Sequence, residues 1–208
     1  MRIATVGGSA LAYVLLNSGH ELVEDLDSAE CIILQADHDE LPTLVEEVAP
    51  HVSKGDIVIH TSLTHGPQVL DPVEVRGAVV ASAAQLRPDT WGVEALDEVG
   101  LTVAQVLISD SGGNVIELSG DTRGPLIARV AYSNITWYLA AWAEMDVVQE
   151  IRGVDVPLLP EVLPGEIREA YRYIEDIGQQ QAYSDVVRLL TERGKLPDFR
   201  WTGMEWQE

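Results

Sequence analysis

Lysine is nearly missing from this chain: Lys54 and Lys195 are the only two in 208 residues. A mechanism built on lysine therefore has two positions to draw on. With 13 basic residues against 34 acidic ones the formal charge is −21, and such a surface repels phosphate backbones and anionic headgroups. Nucleic acid and membrane are not expected partners. Cysteine is scarcer still. Cys31 is single, so no internal disulfide can form, and it stands in the apolar run CIILQA, where a thiol packs rather than reacts. No Cys/His cluster has metal-ligand spacing, and no metal is expected. Apolar runs stay well short of the roughly 18 residues of a membrane span, and the first residues lack a basic stretch followed by a long apolar one. The expectation is a soluble, cytoplasmic protein. Internal repeats and low-complexity tracts are also missing.

What is present is a core-forming composition, 46% hydrophobic, ordered by one stretch at the start. MRIATVGGSALAYVLLNSG reads as a β-branched strand (Arg2 to Val6), a glycine turn (Gly7-Gly8) and a helix opened by Ser9, with Leu11, Val14 and Leu15 at helical spacing before Gly19. A strand, tight turn and helix in that order open a βαβ unit, whose turn aims N–H groups and the positive helix end at one point. Gly7, Gly8 and Ser9 are thus candidates for holding an anion; the plainer reading is a tight connection and a serine cap.

Downstream the alternation continues. His20 to Val23 has room for only a short strand. Cys31 to Ala36 is a continuous apolar run of the type buried on both faces, followed by a helix over Glu40 to Val52 with Pro42 in its first turn. Ile57 to His60 is a strand, Gly66 to Val73 a short helix broken by Pro72, and Ala78 to Ala83 another strand. Trp91 to Ala95, Asp97 to Ser109 and Val115 to Leu118 add a strand, a helix and a last strand. This predicts an α/β fold: a Rossmann-like, mostly parallel sheet with helices on both faces. From Asp121 the pattern turns helical. Ile127, Val130, Ala131, Asn134, Tyr138 and Ala141 keep helical period through the longest helix, and two amphipathic segments follow over Glu166 to Ile177 and Gln180 to Arg193. The boundary is placed between a sheet domain, 1–120, and an all-helical domain, 121–208. The tail carries Phe199, Trp201, Met204 and Trp206, too apolar to leave in water, and is expected to pack on something such as a second subunit.

Chemistry-bearing residues collect at the predicted strand ends, where open α/β sheets place ligands. Asp37, His38 and Asp39 follow the third strand, with helix capping the plainer reading for either Asp. His60, Thr61, Ser62 and His65 follow the fourth; a His beside a hydroxyl suits acid–base work, against loop hydrogen bonding as the alternative. No G-x-S-x-G elbow points to a hydrolase. Asn134, unfavourable within a helix, faces either a cleft or a helix interface. Arg87, Arg123 and Arg129 suit either an anionic substrate or the surplus carboxylates.

IATVGGSALAYVLLNSGHELV, AECIILQADHDEL, GDIVIHTSLTHGPQVLDPVEVRGAVVAS and GGNVIEL followed by ARVAYSNITWYLA together resemble the 6-phosphogluconate dehydrogenase-like superfamily over about residues 2 to 148. The resemblance implies a Rossmann domain for NAD or NADP, a helical domain that makes a homodimer, and hydride transfer on a small-molecule substrate. By it, Gly7, Gly8, Ser9, Asp37, His38 and Thr61 would line the cofactor and Asn134 would match the family's helix asparagine; with His60 and Ser62, taken from their place at a strand end, it makes the set of catalytic candidates. The departures are specific. Gly7 matches the first glycine of G-x-G-x-x-G and Gly8 the last, with four residues between them missing. The ribose-reading strand has almost no room. Val130 occupies the family's lysine position four residues before Asn134, and Ala84-Gln85 stands where relatives carry His-Pro. Two functions stay open: an NAD(P)-dependent oxidoreductase with a degraded cofactor site, or a non-catalytic dimeric binding or interaction protein that keeps the scaffold and takes no cofactor.

Overall fold

A computed structural model describes residues 1–148 and 163–196. The proline-rich connection and the aromatic tail from Phe199 to Trp206 lie outside the described residues. The chain divides into two compact units, Met1–Gly124 and Pro125–Glu208.

The first unit is built on seven strands: β1 (Arg2–Val6), β2 (Glu21–Leu22), β3 (Cys31–Leu34), β4 (Ile57–His60), β5 (Val79–Arg87), β6 (Thr90–Ala95) and β7 (Asn114–Glu117). Their order across the sheet is β2-β1-β3-β4-β5-β6-β7. The pairs from β2 to β5 are parallel; β6 returns antiparallel to β5 through a hairpin, and β7 runs parallel to β6. Helices α1 (Ala10–Asn17), α2 (Leu41–Val48), α3 (Asp71–Glu74) and α4 (Glu98–Asp110) supply the crossovers.

Both faces of the sheet are buried, and the alternation of the strands divides the residues between two cores. Ile3, Cys31, Ile33, Ile59, Ala81 and Ala83 meet Leu11 and Leu15 of α1 and Ala104, Leu107 and Ile108 of α4, with Trp91 fully buried among them. Ala4, Ile32, Leu34, Val58 and Val80 meet Leu41, Val45 and Val48 of α2 and Leu70 and Val73. Every apolar side chain of the CIIL run is fully buried, which explains why that run lacks a polar face. Burial pushes the Cys31 thiol up to about 12, so it stays protonated and packs.

Prolines and short spans decide the details. Pro50 ends α2 at Val48, and Ala49–His51 continue as a 3-10 turn rather than as the expected helix to Val52. Pro67 and Pro72 likewise divide the 66–73 segment into a 3-10 turn, Pro67–Leu70, and the single turn of α3. The span after α1 yields a two-residue β2 and a 3-10 turn at Leu26–Ser28, with no second-strand helix. Strand β5 runs past Ala83 to Arg87 because it also pairs with β6, through a register shift between Gln85 and Arg87.

Among the described residues three helices follow: α5 (Gly120–Val148), α6 (Pro164–Tyr171) and α7 (Ile177–Glu192). Asp176 caps α7 by accepting from the Gln179 N–H at 2.8 Å. Within the second unit Tyr183 is buried beside Tyr132 and Tyr171, and its hydroxyl donates to Ile167 O at 3.1 Å. Among the described residues no helix is long and apolar enough to cross a membrane.

Candidate functional site

The chain leaves β1 toward β2 on one side and then crosses to β3 on the other. The ends of β1 and β3 are therefore a topological switch point, where connections diverge and a crevice opens. Gly7 sits at its floor with φ +86°, and a Cβ there would lie 2.0 Å from Gln35 O. Both the left-handed backbone and the close approach demand glycine. The Gln35 N–H donates to Val6 O at 2.9 Å, and Thr5 Oγ1 donates to Gly7 O at 2.9 Å, which pins the turn to both strands. Gly8 is the opposite case: nothing lies within 4 Å of where its Cβ would be.

Ser9 occupies the N-cap of α1 but makes no side-chain cap bond, contrary to the capping reading, and its Oγ is buried with no partner. The first turn of α1 holds no acidic residue. Its N–H groups thus keep their capacity for an anion arriving beside Gly8. On the α2 side of the crevice a cleft of about 450 Å³ lies between Val6, Gln35 and Ala36 and the helix residues Thr43 and Leu44, with Asp39, Glu40 and Glu47 at its wall. On the other side β2 pairs only with Arg2 and Ile3, and Val23 N–H donates to Ile3 O. The chain therefore leaves β1 about halfway along, just before the exposed Glu24.

The ends of β3 and β4 carry a polar cluster. Neither Asp37 nor Asp39 is the N-cap of α2: Pro42 near the helix start sets the cap at Glu40. The Asp37 carboxylate instead accepts from the His38 N–H at 2.7 Å, and its carbonyl accepts from the Glu40 and Leu41 N–H groups. His38 Nδ1 lies 2.8 Å from Thr64 Oγ1, and Thr64 Oγ1 3.2 Å from Ser62 Oγ. Ser62 Oγ accepts from the N–H groups of Thr64 and His65 at 3.3 and 3.4 Å. The rings of His38 and His65 stack at 4.2 Å with 16° between their planes, and His65 Nε2 donates to His38 O at 2.8 Å. Thr61 Oγ1 donates to Gln35 Oε1 at 3.2 Å.

His60 has a different character from its neighbours. It is fully buried, its Nε2 donates to Gly66 O at 3.1 Å, and its Nδ1 has no partner. Burial, more than the nearby Arg123 charge, lowers its pKa to about 3, so it is neutral near pH 7. It holds the 61–66 loop down from below.

Arg123 holds the same loop from the side. Its Nε donates to Glu94 Oε2 at 2.8 Å and its Nη2 to Ser82 Oγ at 2.9 Å, with the Glu94 carboxylate 2.6 Å from Nη2. Its Nη1 donates to Leu63 O at 3.2 Å and to His65 O. These contacts engage every N–H of the guanidinium, so Arg123 is a buried staple rather than an anion clamp. Glu94 reaches it because β6 folds back antiparallel beside β5 across the two-residue turn Pro88-Asp89. Asn134 lies midway along α5 in the second unit, partly buried. Among the described residues no group of three or more His, Cys, Asp or Glu is placed to hold a metal ion.

Residues 19–84 match a family model described as a Rossmann-like domain. No curated protein matches the chain. Solved structures similar to it over nearly its whole length include dehydrogenases and reductases. Arogenate dehydrogenase from Synechocystis is 14% identical with a TM-score of 0.54, covering 95% of this chain and 94% of that one. Prephenate dehydrogenase from A. aeolicus, in complex with hydroxyphenyl propionate and NAD+, is 13% identical with a TM-score of 0.52, covering 94% and 87%. Pyrroline carboxylate reductase from Plasmodium falciparum, with NADP bound, is 12% identical with a TM-score of 0.53, covering 95% and 80%. The fold class follows: a mostly parallel, Rossmann-like sheet with a helical C-terminal region.

Proposed function

We propose that this protein is a Rossmann-type oxidoreductase of the 6-phosphogluconate dehydrogenase-like kind that binds NAD(H) in a reduced cradle at the β1–β3 crevice. The observation that carries the reading is the open, uncapped start of α1: Gly8 leaves room for a backbone-hugging ligand, and Ser9 Oγ is buried without a partner. A pyrophosphate would be held there by helix N–H groups and that hydroxyl. Two of the similar structures carry NAD+ or NADP by name, which supports the same class of cofactor. The carboxylates of Glu24, Asp39, Glu40 and Glu47 around the crevice suit ribose hydroxyls and repel a 2′-phosphate, so NADH should bind in preference to NADPH. In this reading the sheet domain ends near residue 120 and the helical part makes a cytoplasmic homodimer, for which the exposed Trp137, Tyr173 and Ile177 offer apolar surface.

Two observations favour a second reading, a non-catalytic dimeric scaffold. The glycine turn is packed onto the Gln35 carbonyl, and β2 stops halfway along β1. A titration of tryptophan fluorescence with NADH and NADPH separates the two. Saturable micromolar NADH binding, weaker for NADPH, is the expected result; no binding of either at millimolar concentration would leave the scaffold reading.

A further inference from the structure

We infer that the outer surface of α1 and α4 is a self-association face, on which a second copy of this chain docks through the same residues. This goes beyond the cofactor reading and does not depend on it. It concerns the sheet unit, whereas the contact proposed above lies in the helical part. α1 and α4 lie side by side on one face of the sheet, where Leu11 and Leu15 of the one and Ala104, Leu107 and Ile108 of the other share a core. Their outward residues follow at helical spacing, Tyr13 and Asn17 on α1 and Val99, Thr102, Val106 and Ser109 on α4, and all are exposed. Tyr13 is 69% exposed, Val99 57% and Val106 50%. Such side chains scattered singly over a surface are ordinary; here they stand on one helical layer.

Charge sets this layer apart. In a chain that is 23% charged, helices of 8 and 13 residues would carry about five charges. Instead α1 has none, and α4 has only Glu98 and Asp110 at its two ends. The layer on the opposite face of the sheet is acidic, with Glu46 and Glu47 on α2 and Asp71 and Glu74 on α3.

This asymmetry names the occupant. In a two-fold contact residue i meets j and j meets i, so each copy presents its own charges to itself. For a chain of net charge −21 most such contacts set carboxylate against carboxylate. Of the two helical layers of the sheet unit, only the α1–α4 layer lets two copies meet without that repulsion. Two α4 helices crossing at about −50° would interdigitate Val99, Thr102 and Val106 and carry Glu98 and Asp110 apart. Other occupants fit less well: a basic protein finds no carboxylate within this layer, and an anionic membrane finds no Lys or Arg. The face is modest, an α4 about 20 Å long beside an α1 of about 12 Å. That places it at the small end of specific interfaces and makes the association reversible, in the micromolar range.

The test uses the full chain. Sedimentation velocity of wild type from about 5 to 200 μM should show an average mass that rises with concentration. Val99→Glu and Val106→Glu should each weaken the association about 10-fold or more, because each sets a carboxylate against its own copy. Val99→Glu places its acid in the first turn of α4, where the helix dipole favours it, so its urea midpoint should hold and unfolding does not account for the loss. Val75→Glu, at a still more exposed valine that follows α3 on the acidic side, should leave the association unchanged. Raising NaCl from 50 to 500 mM should tighten it, since salt screens the repulsion between the acidic remainders and an uncharged contact has no ion pair to lose. A wild type that stays monomeric to 200 μM would overturn the proposal and leave the face to a different partner. Association indifferent to both Glu variants would overturn it in favour of the helical part alone, and association weakened by salt would overturn it in favour of an ion-paired contact.

Discussion

Acid should destabilise this protein through one residue before its carboxylates matter. His60 is fully buried and has a pKa of about 3 in the fold against an ordinary value of 6.5. As pH falls below 6.5 the unfolded chain takes up a proton that the folded chain refuses, so stability is full above that pH and declines down to about pH 3. Each unit of pH in that window is worth about 1.4 kcal/mol, which gives a loss on the order of 2 kcal/mol by pH 5 and about 4 kcal/mol by pH 3. The matched control is His60→Gln, whose side-chain amide can still donate to Gly66 O but does not titrate. Urea unfolding at pH 7.5 and pH 5 would be compared for the two proteins. Wild type should lose about 2 kcal/mol more than the variant between those conditions, whatever constant penalty the variant carries from its altered shape. Parallel pH dependences would refute the reasoning, because they would mean that His60 accepts its proton in the folded state.

The two turn glycines should part company. Gly7→Ala places a methyl 2.0 Å from Gln35 O at φ +86° and should lower the urea midpoint by the equivalent of about 2 kcal/mol or more, whereas Gly8→Ala meets no atom within 4 Å and should fold normally while weakening NADH in the fluorescence titration. Arg123→Met strands Glu94, whose side chain is only 14% exposed, and should cost about 3 to 5 kcal/mol in the same unfolding assay. The double variant Arg123→Met/Glu94→Leu should recover much of that loss; no recovery would mean that the carbonyl contacts to the 61–66 loop, not the ion pair, dominate.

Much of the architecture was legible because it rests on local rules. The CIIL run, the helical period of α4 and α5 and the glycine turn at Gly7-Gly8 each state their element through spacing alone, and β4 begins and ends at the residues its pattern indicates. The missing loop residues and the small space for β2 could likewise be counted. Segment ends were less legible where prolines compete with a continuing apolar period, as at Pro50 and Pro72. The caps were misread for a similar reason: a Ser or Asp before a helix indicates capacity for a cap, but whether its oxygen turns toward the N–H groups depends on what crowds it. Ser9 Oγ is buried away from any partner, and the Asp37 carboxylate accepts from the His38 N–H.

The candidate site divides along the same line. Sequence by itself determined that His38, Asp37, His60, Ser62 and His65 would stand at strand ends, because strand periodicity and connection lengths leave them nowhere else. It could not say which histidine would be buried. Only the tertiary structure turned His60 inward to Gly66 O and His65 toward His38 O, and only it brought Arg123 to Glu94 and to the carbonyls of a loop 58 and 60 residues earlier. The physical reason is range. Hydrophobic period acts between neighbours on one element, whereas the proton position and charge of a side chain are set by whichever polar groups long-range packing delivers to it.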